Sequence, residues 1–355
     1  MRAVRVSEFG APPTLAEVPI PTPGPREALV RVEATGLCRS DAHAWRGADS
    51  TVRLPYTPGH EFVGIVAAVG GEVARVATGQ RVTTPFVCGC GACADCARGD
   101  AQVCRFQEQP GFTYDGSFAE YALIRNADTN AVFVPDDVDP SGAALLGCRF
   151  ATSFRGLVDR ARLQAGETVA VLGCGGVGLS AILIAVALGA RVLAVDVAPA
   201  ALERARTVGA HDVLDIAGLD DDAVVAAIRQ ATDGGPAVAV EALGRASTLA
   251  VGVRSLASGG RLVQIGLLGA DPVVPMGEVI ARELAILGSH GMAAADYPRL
   301  LNLVRAGGLD PASLVTRTIS LDEAPAALAA LGSGAATGAG VTMIRPRHPA
   351  RSPIR

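Results

Sequence analysis

Residues 169–196, VAVLGCGGVGLSAILIAVALGARVLAVD, limit what this chain can fold into more than any other stretch. A short apolar run of strand type (169–172) leads into Gly173, Gly175 and Gly178, spaced as in a dinucleotide-binding turn. A small-residue helix follows, then a second apolar strand (191–195) that ends in Asp196. The glycines differ in what they permit. One allows the sharp turn, one lets backbone N–H groups approach a pyrophosphate, and one lets helix and strand pack closely. The N-terminus of the helix then faces the phosphates.

Two plainer readings compete. Residues 169–188 carry no charge, so a membrane helix is possible by length alone, although each helix-interior glycine costs about 1 kcal/mol. The other is a tight strand-to-helix turn that binds nothing. Asp196 argues against it, because it falls about twenty residues into the unit, where a ribose would sit. Its carboxylate can accept both ribose hydroxyl hydrogens. A 2′-phosphate would instead meet a like charge, at roughly 3 kcal/mol per unit charge for about 5 Å and an effective dielectric near 20. Residues 197–200 contain no compensating arginine or lysine, so NAD is expected over NADP.

At 355 residues the chain suits two domains. Half of its residues are hydrophobic and its net charge is −4, which predicts a compact soluble protein without a nucleic-acid footprint. The basic, proline-containing tail 348–355 reads as a loose end. The opening MRAVRVSEFG lacks the apolar core of a secretory signal, so a cytoplasmic location away from membranes is expected. Eight cysteines in a reducing compartment, tightly clustered, favour metal ligation over disulfides.

Residues 1–35 alternate short apolar runs with Pro and Gly clusters, which predicts strands and turns. GLCRSDAH (36–43) and PGHEFVG (58–64) follow. A thiolate at Cys38 and an imidazole at His60 are ligand types that zinc prefers, and two such segments can converge on one ion. Either alone is ordinary, since an isolated cysteine is usually a small buried hydrophobe. Cys90, Cys93, Cys96 and Cys104 lie in a loop of small residues that offers no other core. Two overlapping Cys-x-x-Cys steps and a fourth thiol can surround a tetrahedral zinc. Iron–sulfur ligation is the rival, but its bacterial spacing puts the fourth Cys closer and before a proline, whereas Arg105 follows here. Cys88 receives no role. Strand character returns near 116–134, and a helix predicted from about Ser141 carries a further thiol, Cys148. Beyond Asp196, alternating helices and strands to 288 complete a doubly wound α/β pattern.

Taken in order, GLCRSDAH, GHEFVG, the four-cysteine lobe, LLGCRFAT, VLGCGGVG and SLASGGRLVQIGL resemble a zinc-dependent medium-chain alcohol dehydrogenase along nearly the whole chain. The resemblance implies a Rossmann domain (150–288) inserted into a β-rich, GroES-like catalytic domain (1–149 and 289–355) with a structural zinc lobe near 88–106. It implies a catalytic zinc held by Cys38, His60 and Cys148, with Glu61 able to approach the metal and Asp41 orienting the histidine ring. Such a zinc leaves one position for water or an alcohol oxygen. Ser40 would take the substrate proton and pass it through the cofactor ribose to His43. Cofactor contacts fall to Arg39, Thr152, Gly173, Gly175, Gly176, Val177, Gly178, Asp196, Ile265 and Gly266. Trp45 and Phe86 would wall the substrate pocket, or simply pack.

The resemblance thus implies an NAD-dependent, two-zinc oxidoreductase for a small primary or secondary alcohol, forming a homodimer or homotetramer. Polyols, formaldehyde adducts or larger hydroxy substrates are alternatives, as is a zinc-stabilised NAD-binding regulator without turnover. Cys148 favours the alcohol branch, since sorbitol-type relatives commonly put Glu at that position. One departure stands out. Many relatives carry a C-terminal arginine that pairs with the pyrophosphate, whereas this chain has Thr337, Gly338, Ala339 and Gly340 there. Arg39 is left as a phosphate contact, and Arg149 as a residue that could meet an anionic substrate.

Overall fold

Val169 and Val171 point to one face of a sheet and Ala170 and Leu172 to the other, and all four are buried. Such two-sided burial explains why these strands read as continuous apolar runs. The computed structural model describes residues 1–333 and 339–346. Thr337, Gly338 and the tail 348–355 therefore lie outside the described residues.

Six parallel strands form one sheet, in the order Asp212–Asp215, Arg191–Asp196, Thr168–Leu172, Val238–Glu241, Arg261–Gln264, Ala285–Gly288. Helices Gly176–Ala187 and Pro199–Thr207 cover the face of Val169 through Leu179, Ile182 and Leu202. Helices Asp221–Ala231 and Ala246–Ser255 cover the opposite face through Val224, Ile228, Leu249 and Val253. Each fully buried Leu or Ile contributes roughly 1.5–3 kcal/mol. The order reverses beside Thr168–Leu172, and ligands of such sheets bind at that switch, beyond the carboxyl ends of the strands. The uncharged run is thus a strand, a turn and a twelve-residue helix. Among the described residues no helix is long and apolar enough to cross a membrane.

A second sheet, of seven strands, runs Val315–Ser320, Val341–Arg345, Ala28–Gly36, Phe62–Val69, Arg81–Thr83, Val132–Phe133, with Tyr121–Ile124 also paired to Ala28–Gly36. Its first two strands come from beyond the parallel sheet, so the chain returns to the unit it left. The central pair is antiparallel with Thr35 opposite Phe62. Gly64 sits where a Cβ would overlap the Arg31 carbonyl oxygen, so the two backbones approach closely only because the residue is glycine.

That register places the next step. Gly36 N–H donates to Glu61 O at 2.8 Å, which sets Cys38 alongside His60 although they are distant in sequence. Helix Pro140–Leu145 packs against both strands. Its cap, Asp139 Oδ1, accepts from Ser141 N at 2.8 Å and Gly142 N at 3.2 Å, worth about 1 kcal/mol. The helix then widens into a π-helical segment, Leu146–Phe150, that carries Cys148, before tightening again at Ala151–Phe154. Single π turns of this kind are frequent at functional sites.

Candidate metal and dinucleotide site

Cys38, His60, Glu61 and Cys148 present donor atoms that all lie within 4.8 Å of one another. His60 is fully buried. Its Nδ1 lies 2.9 Å from Asp41 Oδ1. The same carboxylate accepts from Cys38 N at 2.9 Å and Gly59 N at 3.1 Å. Asp41 accepts only, so it selects the tautomer with hydrogen on Nδ1 and leaves a lone pair on Nε2. Nε2 is buried and has no hydrogen-bond partner among the described residues. Leaving such an atom unpaired costs about 1–3 kcal/mol. Two thiols and an orphaned imidazole nitrogen suit zinc, and an ion there would satisfy the nitrogen. The donor set fits the metal.

Glu61 is otherwise engaged. Arg149 Nε donates to Glu61 Oε1 at 2.9 Å and Oε2 at 3.0 Å, Arg149 N donates to Oε1 at 3.0 Å, and Nη2 also donates to Oε2. Glu61 is 0% and Arg149 4% exposed. Burial pushes the Glu61 carboxyl above its ordinary pKa, while Arg149 pulls the other way. Cys38 Sγ, His60 Nε2 and Cys148 Sγ are thus the three donor atoms not taken up by an ion pair.

Helix Arg39–Trp45 begins directly after Cys38. Ser40 Oγ lies 3.8 Å from Cys38 Sγ, beside the donor cluster. His43, one turn on, is half-buried; burial first, then Arg39 and Arg46, hold its pKa below the usual imidazole value. Arg39 is exposed. Trp45 has a packing role: it is 8% exposed, belongs to a core with Val4, Val6 and Leu328, and donates Nε1 to Ala11 O at 2.7 Å. Its ring occupies the space a Cβ on Gly332 would need. Phe86 lies edge-on to His60 at 6.1 Å between centroids and to His290 at 5.0 Å, and Phe112 flanks His60 at 5.4 Å. Phe86 and Phe112 border the imidazole, and His290 backs Phe86. Phe112 and His290 went unnoticed in the sequence because neither sits in a motif.

Cys90, Cys93, Cys96 and Cys104 form the second cluster. Sγ atoms are 4.0 Å apart for Cys90 and Cys96, 3.7 Å for Cys93 and Cys96, and 3.6 Å for Cys93 and Cys104. Four sulfurs about 2.3 Å from one tetrahedral ion stand about 3.8 Å apart, so the spacing fits zinc. A backbone N–H from Ala92 lowers the Cys90 thiol to about 6, while burial pushes Cys96 up to about 12. A dication lets all four ionise. Cys88 points elsewhere, 3.6 Å from Thr84 Oγ1 and 3.7 Å from the Tyr114 hydroxyl, and burial raises it to about 11.

At the carboxyl end of Thr168–Leu172, Gly173 has φ +95°, a left-handed value that favours glycine. A Cβ on Gly178 would overlap the Gly173 carbonyl oxygen, so helix and turn could not close. Around Gly175 there is open space, as expected where backbone meets a ligand. Gly176 and Val177 form the first turn of the helix, whose cap residue Gly175 supplies no side chain to its N–H groups. Asp196 accepts from Cys174 N at 2.7 Å, Val197 N at 2.7 Å and Ala198 N at 2.9 Å. The carboxylate therefore also pins the glycine turn. Ile265 and Gly266 both donate N–H groups to Glu241 O at 3.0 Å. A Cβ on Gly266 would overlap Gly244 N, so that strand end stays bare. Thr152 uses its polar atoms internally: Oγ1 donates to Cys148 O at 2.8 Å and accepts from Gly291 N at 3.2 Å, and its carbonyl accepts from Ser289 Oγ at 2.8 Å. It ties the π-helical segment to residues 289–291.

Comparison with known proteins gives the family and the fold. Residues 24–136 match the alcohol dehydrogenase GroES-like domain family, and residues 176–306 match the zinc-binding dehydrogenase family. An NAD-dependent alcohol dehydrogenase of Sulfurisphaera tokodaii is 35% identical over 349 residues, covering 95% of this chain and 98% of the relative. An alcohol dehydrogenase structure from Thermus sp. superposes with a TM-score of 0.88 at 31% identity, covering 98% of this chain and 100% of that one. A zinc-binding dehydrogenase structure from Sinorhizobium meliloti, bound to NADP, gives 0.87 at 33% identity, covering 97% and 99%.

Proposed function

This chain belongs to the zinc-dependent medium-chain dehydrogenase family, and from that premise we propose that it transfers hydride reversibly between a primary or secondary alcohol and NAD. The observation that carries the reading is His60 Nε2, buried without a partner between the thiols of Cys38 and Cys148.

Zinc, when bound, supplies Lewis-acid chemistry and NAD the hydride chemistry. The residues of the chain do the rest. Cys38, His60 and Cys148 would hold the ion, and Asp41 keeps the imidazole in the ligating tautomer. Glu61 is held by Arg149 and is near enough to serve as a ligand if another donor leaves. Phe86 and Phe112 pack edge-on against the imidazole and exclude water from that part of it, with His290 behind Phe86. Ser40, beside the donor cluster, would take the substrate hydroxyl proton as it gives up its own, and His43, neutral near pH 7, would accept a proton and release it to solvent. The turn Gly173–Gly178 would receive the pyrophosphate and Asp196 the ribose, which favours NAD although one structural neighbour was solved with NADP. The cysteine lobe would hold a second zinc that orders residues 88–106.

Residues 1–149 and 289–355 form the catalytic unit and 150–288 the cofactor unit. A homodimer or homotetramer is the working assembly. Strand Ala285–Gly288 closes one edge of the parallel sheet with Ile286 38% exposed, and nearby Val273 and Ile280 are 89% and 74% exposed. Uncovered edges and apolar patches of this kind call for a partner. Eight free thiols suit the cytoplasm.

The test is a panel of short, branched and aromatic alcohols and polyols, with NAD and NADP, on zinc-loaded protein. Alcohol-dependent NADH formation with two zincs per chain is expected. One zinc per chain and no alcohol-dependent NADH would instead favour the non-catalytic regulator.

A further inference from the structure

Arg149 is a buried cation with one end committed and the other free. Nε and Nη2 grip Glu61, and Nη2 also donates to Leu37 O at 3.2 Å. Nη1 has no hydrogen-bond partner among the described residues. It lies against Gly176, in the space a Cβ there would take. Gly176 is the first residue of a twelve-residue helix whose cap provides no side-chain acceptor.

A guanidinium at that end of a helix is electrostatically misplaced, because the first turn already carries about half a positive charge. Glu61 offsets part of this charge, but its carboxylate faces Nε and Nη2 and leaves Nη1, the nitrogen beside the helix, without an acceptor among the described residues. What relieves it is an anion seated between Nη1 and the N–H groups of the first turn, and an anion with two charged groups suits two sets of donors. Other sources of positive charge are few. The chain contains no lysine, so a side chain that brings fixed positive charge to the phosphates must be an arginine, and besides Arg149 the candidate is Arg39. The turn 173–178 and residues 197–200 contain no arginine, nor does the segment 334–340.

We propose that Arg149 is a pyrophosphate-binding residue for the dinucleotide, reaching past Glu61 to the start of helix Gly176–Ala187, and that it takes the place of the C-terminal arginine this chain lacks. One guanidinium then serves both the carboxylate beside the metal ligands and the phosphates of the cofactor. Glycine at 176 is what admits it. The inference rests on the reading of this chain as a dinucleotide-dependent enzyme.

The test measures binding of ADP-ribose, which contains the pyrophosphate, and of adenosine, which does not, by calorimetry on zinc-loaded protein. Arg149→Met leaves Glu61 buried and unpaired, so the double variant Arg149→Met with Glu61→Gln serves as a neutral pair that keeps the fold. In both variants ADP-ribose affinity should fall at least about tenfold while adenosine affinity stays within about twofold. Arg149→Lys, which restores charge without the fork, should lie between. ADP-ribose affinity within about twofold of the parent in the double variant overturns the inference, and so does an equal loss for adenosine. A parent protein that binds no ADP-ribose overturns the cofactor reading itself, and this inference with it.

Discussion

His60 Nδ1 lies 2.9 Å from Asp41 Oδ1, and the contact settles which ring nitrogen can hold a metal. Asp41→Asn presents either a carbonyl oxygen or an amide hydrogen in that place, so the tautomer is no longer dictated. Zinc affinity at the Cys38, His60 and Cys148 site should drop by about 10–100-fold, measured by chelator competition. The cysteine lobe should keep its zinc. Equal affinity at both sites in variant and parent would show that Asp41 does not control the imidazole.

Gly175 and Gly178 differ in what surrounds them, and that difference can be measured. Gly175→Ala meets open space at φ −78°, so thermal stability without cofactor should be unchanged while NAD binding weakens at least about tenfold, through lost close approach. Gly178→Ala drives a methyl into the Gly173 carbonyl and should cost about 1–3 kcal/mol of stability through overpacking. Melting curves with and without NAD separate the two.

Asp196 anchors three backbone N–H groups and is the residue proposed to meet the ribose. Asp196→Ser should shift the NADP-to-NAD ratio of kcat/KM toward NADP by at least about tenfold, given roughly 3 kcal/mol of charge repulsion removed. It should also raise the KM for NAD, because the glycine turn loses its anchor. An unchanged ratio would count against the assignment.

Burial, with help from Arg39 and Arg46, holds the His43 pKa below 6.5. His43 is therefore neutral, and able to accept a proton, at neutral pH; activity that passes through it should fall only on the acid side of 6.5. Arg46→Gln removes a cation, stabilises the imidazolium and should move that acid limb to higher pH. A limb that stays in place in Arg46→Gln, or persists in His43→Gln, would exclude His43 from the relay.

Much of this was legible in the sequence where chemistry is local. The glycine turn, the paired Cys-x-x-Cys steps and the carboxylate at 196 are set by spacings of a few residues, and backbone geometry does the rest. The contact between Glu61 and Arg149 spans 88 residues and depends on a π-helical segment that no periodicity announces. Trp45 shows the converse: next to a motif, it is turned by helix Arg39–Trp45 into the core against Gly332. Phe112 and His290 reach His60 and Phe86 only through tertiary packing.

Anomalous diffraction at the zinc edge, from crystals grown with zinc and NAD, decides whether the chain carries a catalytic ion beside its structural one. Two peaks per chain are expected, one amid the sulfurs of Cys90, Cys93, Cys96 and Cys104 and one bound by Cys38, His60 Nε2 and Cys148. A peak in the cysteine lobe alone, with zinc and cofactor in excess, would contradict a zinc-dependent dehydrogenase mechanism.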